Sequence, residues 1–216
     1  MTRRAPGVIG LLLLLPLAAC GGEEEPASAA EQGAESTPSE SQEPTEEPTE
    51  EPTESEGEGS GGGENQGDGY SFDGPQGWAD ATERFAAMTP GVDLGLIDTA
   101  GKDARFADNV NVLVGAPYPA FSPEEAEQTF LEELRGFAKQ ATVLPRVEID
   151  DEAAVHLSGR TPVDKIEVYT EQYAAYVDDT WYIVTFSHGP DTTAADREDD
   201  MATVLDSWEW GAGDQA

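Results

Sequence analysis

From Gly21 to Asp68 the chain offers nothing from which to build a core. These 48 residues hold almost no large apolar side chain, 15 Glu and one Asp, and neither Lys nor Arg. They include "EPTEEPTEEPTE" (Glu43 to Glu54), a four-residue unit repeated three times, and the glycine-rich "GEGSGGGENQGDG". Burial cannot repay the entropy of ordering such a stretch, so it is expected to stay disordered. Proline and like-charge repulsion extend its first part, and glycine makes its end a swivel. Fully extended it reaches about 160 Å, and as a flexible coil it averages about 40 Å. It reads as a spacer, with binding of cations or a basic partner by the repeat as the alternative. Any fold is thereby confined to residues 69–212, with a tail at 213–216, which is enough chain for one ordinary domain.

Ahead of the spacer stands "MTRRAPGVIGLLLLLPLAAC". Arg3 and Arg4 give a charged start, and Val8 to Ala19 give an apolar run interrupted by Pro16. A spanning helix needs about 20 apolar residues, so this run reads as the hydrophobic region of a secretory signal. Leu17-Ala18-Ala19-Cys20 resembles the lipobox of bacterial lipoproteins. That resemblance implies removal of residues 1–19 and a diacylglyceryl group on the Cys20 thiol; the alternative is an ordinary signal peptide with a chance cysteine. Each buried methylene contributes about 0.8 kcal/mol, and two acyl chains hold where one is marginal. The expected location is therefore the extracytoplasmic face of the cell membrane, with Cys20 as the attachment site. Cys20 is also the only cysteine, so no intramolecular disulfide supports the fold.

The chain carries 45 acidic and 11 basic residues, a formal net charge of −34; residues 69–216 hold 9 basic and 29 acidic, or 9 − 29 = −20. Phosphate backbones would be repelled, and no basic stripe offers counterion release, so nucleic acid is excluded as a partner.

Within residues 69–212, "YSFDGPQGW" reads as a short strand and a Gly-Pro turn leading to Trp78, and "ADATERFAAM" as a helical turn or two. "VDLGLID" and "NVNVLVG" are strands, the latter with Val110, Val112 and Val114 on one face. Ser122-Pro123-Glu124-Glu125 forms a capping box with proline at the first helical position. Ala126, Phe130, Leu134, Phe137 and Ala141 continue it as an apolar stripe, which predicts a helix over 123–141. "TVLPRVEI", "AAVHLSGRT" and "DKIEVYTEQYAAYV" follow as strands, and Asp178-Asp179 as a hairpin turn into "TWYIVTFS". A last helix starts near Asp191 or Thr193 and buries Met201, Val204, Leu205 and Trp208. One-sided helices among strand clusters predict an α+β layer fold on a mainly antiparallel sheet.

This element order, with Gly77-Trp78, Asn109-Val110-Asn111-Val112 and the hairpin "DDTWYIVTFS", resembles the Mog1/PsbP-like α/β/α sandwich over about residues 69–212. More narrowly it is similar to the LpqN-type lipoproteins of actinobacteria. The resemblance implies an accessory or partner-binding module without a shared catalytic set.

Chemistry-bearing patterns are sparse. His156 and His188 read as unrelated surface histidines; a zinc site would need them to converge with a carboxylate. Ser187 and His188 are neighbours on a strand and face opposite ways, so they do not pair as nucleophile and base. Asp150-Asp151-Glu152, Asp178-Asp179 and Glu198-Asp199-Asp200 read as solvated acidic clusters, and Trp78, Trp181, Trp208 and Trp210 as core. No residue is assigned to catalysis, a cofactor or a metal, and Cys20 is the one assigned site. The expected function is non-catalytic binding of an envelope protein or other envelope component. The alternatives are a small-molecule or lipid carrier with an apolar pocket between helix 123–141 and the sheet, and an envelope ester hydrolase using Ser187 and His188.

Overall fold

The computed structural model describes residues 62–100, 105–115 and 118–211. The leader, Cys20, the spacer up to residue 61 and the tail at 213–216 lie outside the described residues. In chain order the elements are β1 (Glu64–Gly67), β2 (Tyr70–Asp73), β3 (Trp78–Asp80), α1 (Thr82–Met88), β4 (Val92–Asp98), β5 (Asn109–Val114) and α2 (Pro123–Phe137). Then come β6 (Lys139–Ile149), β7 (Glu152–Val163), β8 (Ile166–Val177), β9 (Thr180–His188), α3 (Ala194–Asp206) and β10 (Glu209–Trp210). The fold is α+β, and its seven-stranded sheet runs β3-β4-β5-β9-β8-β7-β6 with every neighbouring pair antiparallel.

Strand alternation sorts the side chains to two faces. Val110, Val112, Val184, Phe186 and Tyr173 face α3, where they meet Met201, Val204 and Trp208. Val155, Leu157, Ala174, Trp181 and Ile183 face the other way and meet Ala126, Phe130 and Leu134 of α2. The valines of β5 thus fall on one face as their spacing predicts, with Val114 partly buried. On the α2 side, α1 seats Phe85 directly on Gly95 of β4; a Cβ there would lie 2.3 Å from the ring. Helices therefore cover both faces of the sheet.

Helix α2 starts as its sequence dictates. Ser122 Oγ accepts from the Glu125 N–H at 3.3 Å, and the Glu125 carboxylate accepts from the Ser122 N–H at 3.0 Å. It ends at Phe137, four residues short of the predicted 141. Gly136 weakens its last turn, and the β-branched run that follows pairs with β7. Ala141 still packs under the helix, but from β6.

A second departure is β1, which lies inside the stretch 20–68 read as tether. Its pairing to β2 is carried by the backbone, and Gly67 leaves room for the Tyr70 ring, which a Cβ would approach to 2.2 Å. β1, β2 and β10 form a small sheet of their own. Trp208 stacks on Tyr70 at 4.6 Å and on Phe72 at 5.2 Å beside it. Trp78, Trp181 and Trp208 are buried as expected, and Trp210 partly so.

Two of the acidic clusters are turn residues. Asp150-Asp151 and Asp178-Asp179 have positive φ and make the two-residue loops of the β6–β7 and β8–β9 hairpins. The outer strand β6 carries Pro145 and Arg146, which discourages pairing with a further strand.

Candidate functional site

Adjacent strands align Arg160 of β7, Tyr169 of β8 and His188 of β9 in one cross-sheet row on the α3 face. Asn109 pairs with Ser187, so Asp108 enters the same end of the sheet beside His188. Above the row runs α3, which presents Arg197 and Asp200 one turn apart. Thr193 caps that helix by accepting from the Asp196 N–H at 3.2 Å.

His188 is fully buried, so the expectation of a surface histidine fails for it. It closes β9 just before Gly189-Pro190, and α3 folds back over it. Its ring lies parallel to Phe186, with centroids 6.2 Å apart, and tilted to Trp78 at 6.4 Å. Nε2 stands 3.4 Å from Asp200 Oδ2, within ion-pair range yet outside hydrogen-bond geometry, and neither ring nitrogen has a hydrogen-bond partner. A buried polar group left unpaired costs about 1–3 kcal/mol.

Asp108 is held firmly by contrast. Oδ1 accepts from the Gly189 N–H at 2.7 Å and Oδ2 from the Thr192 hydroxyl at 2.5 Å. Burial pushes its carboxyl above the usual range, against the lowering effect of these two bonds and of His188. Donor atoms of Asp108, His188 and Asp200 all lie within 4.8 Å of one another.

Next to this cluster two guanidiniums share one ring. Arg160 Cζ lies 3.3 Å and Arg197 Cζ 3.7 Å from the Tyr169 centroid. Two groups this close to one centroid cannot occupy the same face, so they clamp the ring from both sides. The neighbouring Arg160 holds the Tyr169 phenol below its ordinary value, with Arg197 adding to the effect. Arg197 also donates to the Thr192 carbonyl at 2.8 Å, so Thr192 ties the arginine clamp to Asp108.

The other expected residues separate. His156 stacks on Tyr173 at 4.3 Å and places Nε2 2.8 Å from the Glu171 carboxylate. It is no member of the His188 cluster. Ser187 faces the α2 side of the sheet and His188 the α3 side, so these two do not form a nucleophile–base pair. Between α2 and the sheet, Phe130 meets Trp181 edge-to-face at 5.0 Å and Tyr118 at 5.4 Å, in the space where the carrier alternative requires a cavity. Two open grooves lie elsewhere, one along α3 at Ala202, Thr203 and Asp206, the other beside Asp80 and Arg84, and neither is lined by the cluster.

Asp108, Arg160 and Tyr169 were not singled out from the sequence, and Asp200 only as part of an acidic run. The one available signal was register: a hairpin with a two-residue turn at Asp178-Asp179 sets Tyr169 opposite His188 by counting alone.

No family model and no curated protein matches the sequence. Solved structures do resemble the fold. The solution structure of cyanobacterial PsbP (CyanoP) from Synechocystis is 17% identical, with a TM-score of 0.46, covering 66% of this chain and 86% of that one. LpqN of Mycobacterium tuberculosis, described as involved in cell envelope biogenesis, is 12% identical with a TM-score of 0.48, covering 67% and 84%. The Ran-binding protein Mog1p of Saccharomyces cerevisiae is 10% identical with a TM-score of 0.44, covering 66% and 90%. At these identities the likenesses concern the fold alone. Among the described residues no helix is long and apolar enough to cross a membrane.

Proposed function

We propose that the chain is a lipoprotein anchored through Cys20 on the extracytoplasmic face of the cell membrane, whose folded domain binds an envelope protein or other envelope component without transforming it. The leader supports the anchor: two arginines, a short apolar run and Leu17-Ala18-Ala19-Cys20 in the right order. The acidic spacer would then carry the domain away from the lipid surface.

One observation carries the binding half of this reading. Residues 69–216 hold 29 acidic side chains and 9 basic ones. Yet neither Arg160 nor Arg197 is in an ion pair among the described residues; those present belong to Lys139, Arg146, His156 and His188. Two partly exposed guanidiniums fixed on one aromatic ring form a local cationic spot in an acidic surface. Such planar donor groups suit a carboxylate or phosphate on the partner. The clamp also reduces the side-chain entropy lost when an anion docks.

Crosslinking in intact cells followed by mass spectrometry tests this. A defined envelope partner should be recovered with the wild-type chain and lost from the Arg160→Gln/Arg197→Gln double variant, whose retained fold is checked by circular dichroism. Recovery of abundant bystanders alone, equally from both chains, would defeat the proposal.

A further inference from the structure

We infer that Asp108, His188 and Asp200 form a binding site for a divalent first-row transition-metal ion, with zinc as the fitting case. The three donors come from separate segments: the chain just before β5, the end of β9 and the middle of α3. Their convergence to within 4.8 Å is therefore a product of the tertiary fold and not of a local acidic run. The imidazole supplies the second observation. The His188 side chain is 1% exposed, yet both of its nitrogens lack a hydrogen-bond partner. Buried polar groups are nearly always paired, and a cation bound at one ring nitrogen would supply a missing partner.

The geometry suits such an ion. With metal–ligand bonds of about 2.0–2.1 Å, two tetrahedral neighbours stand about 3.4 Å apart. His188 Nε2 and Asp200 Oδ2 are 3.4 Å apart already. All three donors lie within 4.8 Å of one another, so the widest separation has to contract by at most about 1.4 Å to reach the same spacing. Asp200 is the donor with freedom to adjust toward the ion, because its side chain is 23% exposed and, among the described residues, its one ion-pair contact is His188. Asp108 is the fixed point: each of its oxygens already accepts one hydrogen bond, from Gly189 or Thr192, and keeps a lone pair for the ion. The exposed side of Asp200 gives water a route to the remaining position.

Ligand type selects the ion. One imidazole among carboxylates favours zinc and its neighbours over magnesium and calcium, which take oxygen alone. Arg197, the nearest cation on α3, is drawn onto Tyr169 and the Thr192 carbonyl. No acceptor supports His188 Nδ1, so the site lacks the outer bond that orients most ligating histidines. An exchangeable ion fits this arrangement better than a permanent structural one.

Because the ion would pin α3 to β9 and to the chain before β5, its binding should be read as stability. The test uses the full chain after chelator treatment. At a hundredfold excess over Kd, zinc should raise Tm by about 8 °C, while magnesium and calcium should not. Cobalt(II) should give the intense visible absorption of a four-coordinate ion. Asp200→Asn should abolish both responses, and Asp199→Asn, on the exposed side of the same helix, should preserve them. An equal Tm rise in Asp200→Asn, the same rise with magnesium, or the pale spectrum of fully hydrated cobalt would each overturn the site in favour of adventitious binding to an acidic surface. His188→Gln adds a second ligand test, but the wild-type cobalt spectrum and the partly exposed Asp200 decide the matter even if that variant fails to fold.

Discussion

Replacing Phe130 with Ala would test whether the space between α2 and the sheet is filled core, as the structure has it, or a carrier's cavity. Phe130 is 1% exposed and packs edge-to-face against Trp181 at 5.0 Å and Tyr118 at 5.4 Å. An aromatic side chain buries about 150–250 Å², which at about 25 cal/mol per Å² bounds the transfer loss near 4–6 kcal/mol. The retained Cβ and partial collapse of the site reduce that figure. Loss of two aromatic contacts, at about 0.5–1.5 kcal/mol each, works the other way. The expected destabilisation is about 4 kcal/mol, inside the range of about 3–5 kcal/mol for buried Phe→Ala changes. Urea unfolding followed by both far-ultraviolet circular dichroism and tryptophan fluorescence measures it. Trp181 reports on the site itself, since its indole N–H is held by the Pro119 carbonyl at 3.0 Å. A loss below about 1.5 kcal/mol would mean that the helix already sits over empty space, and the argument against a carrier would fail.

Other outcomes follow from the same structure. Ser122→Ala should destabilise the domain by about 1 kcal/mol through loss of the α2 cap, measured by the same urea titration. Hydrogen bonds from Ser122 hold the Glu125 carboxyl below its ordinary value, so that contribution to stability is fully present above the unfolded pKa. It should disappear as pH falls through the depressed folded value, and a stability difference between Glu125→Ala and wild type that stays constant across that fall would contradict the capping box. Gly95→Ala should cost about 1–3 kcal/mol by overpacking, because its Cβ would stand 2.3 Å from the Phe85 ring; in a double-mutant cycle Phe85→Ala should cost less in the Gly95→Ala chain than in wild type.

Much of the fold is written in local chemistry. Ser122-Pro123-Glu124-Glu125 announces α2, alternating valines announce β5, and the Asp178-Asp179 pair announces the β8–β9 hairpin. These signals work because each element satisfies its own requirements within a few residues. β1 and β10 carry no such signal: their residues are polar or few, and each is a strand only because β2 lies between them. The end of α2 was misplaced for a related reason. Ala141 fits the helical stripe, and nothing local reveals that its backbone is claimed by β7. The His188 cluster is harder still. Asp108 is 80 residues away in sequence and Asp200 is on another element, so their meeting depends on the register of β5 against β9 and on α3 closing over that face. A histidine before Gly-Pro looks exposed until the helix that covers it is placed.

The anchor remains the claim on which location, spacer and partner class all depend. Intact-mass measurement of the native product, extracted from the membrane with detergent, tests it most directly. The account predicts a chain that begins at Cys20 and carries the added mass of a diacylglyceryl group on sulfur. A chain that retains residues 1–19, or one that begins at Cys20 with an unmodified thiol, would contradict it.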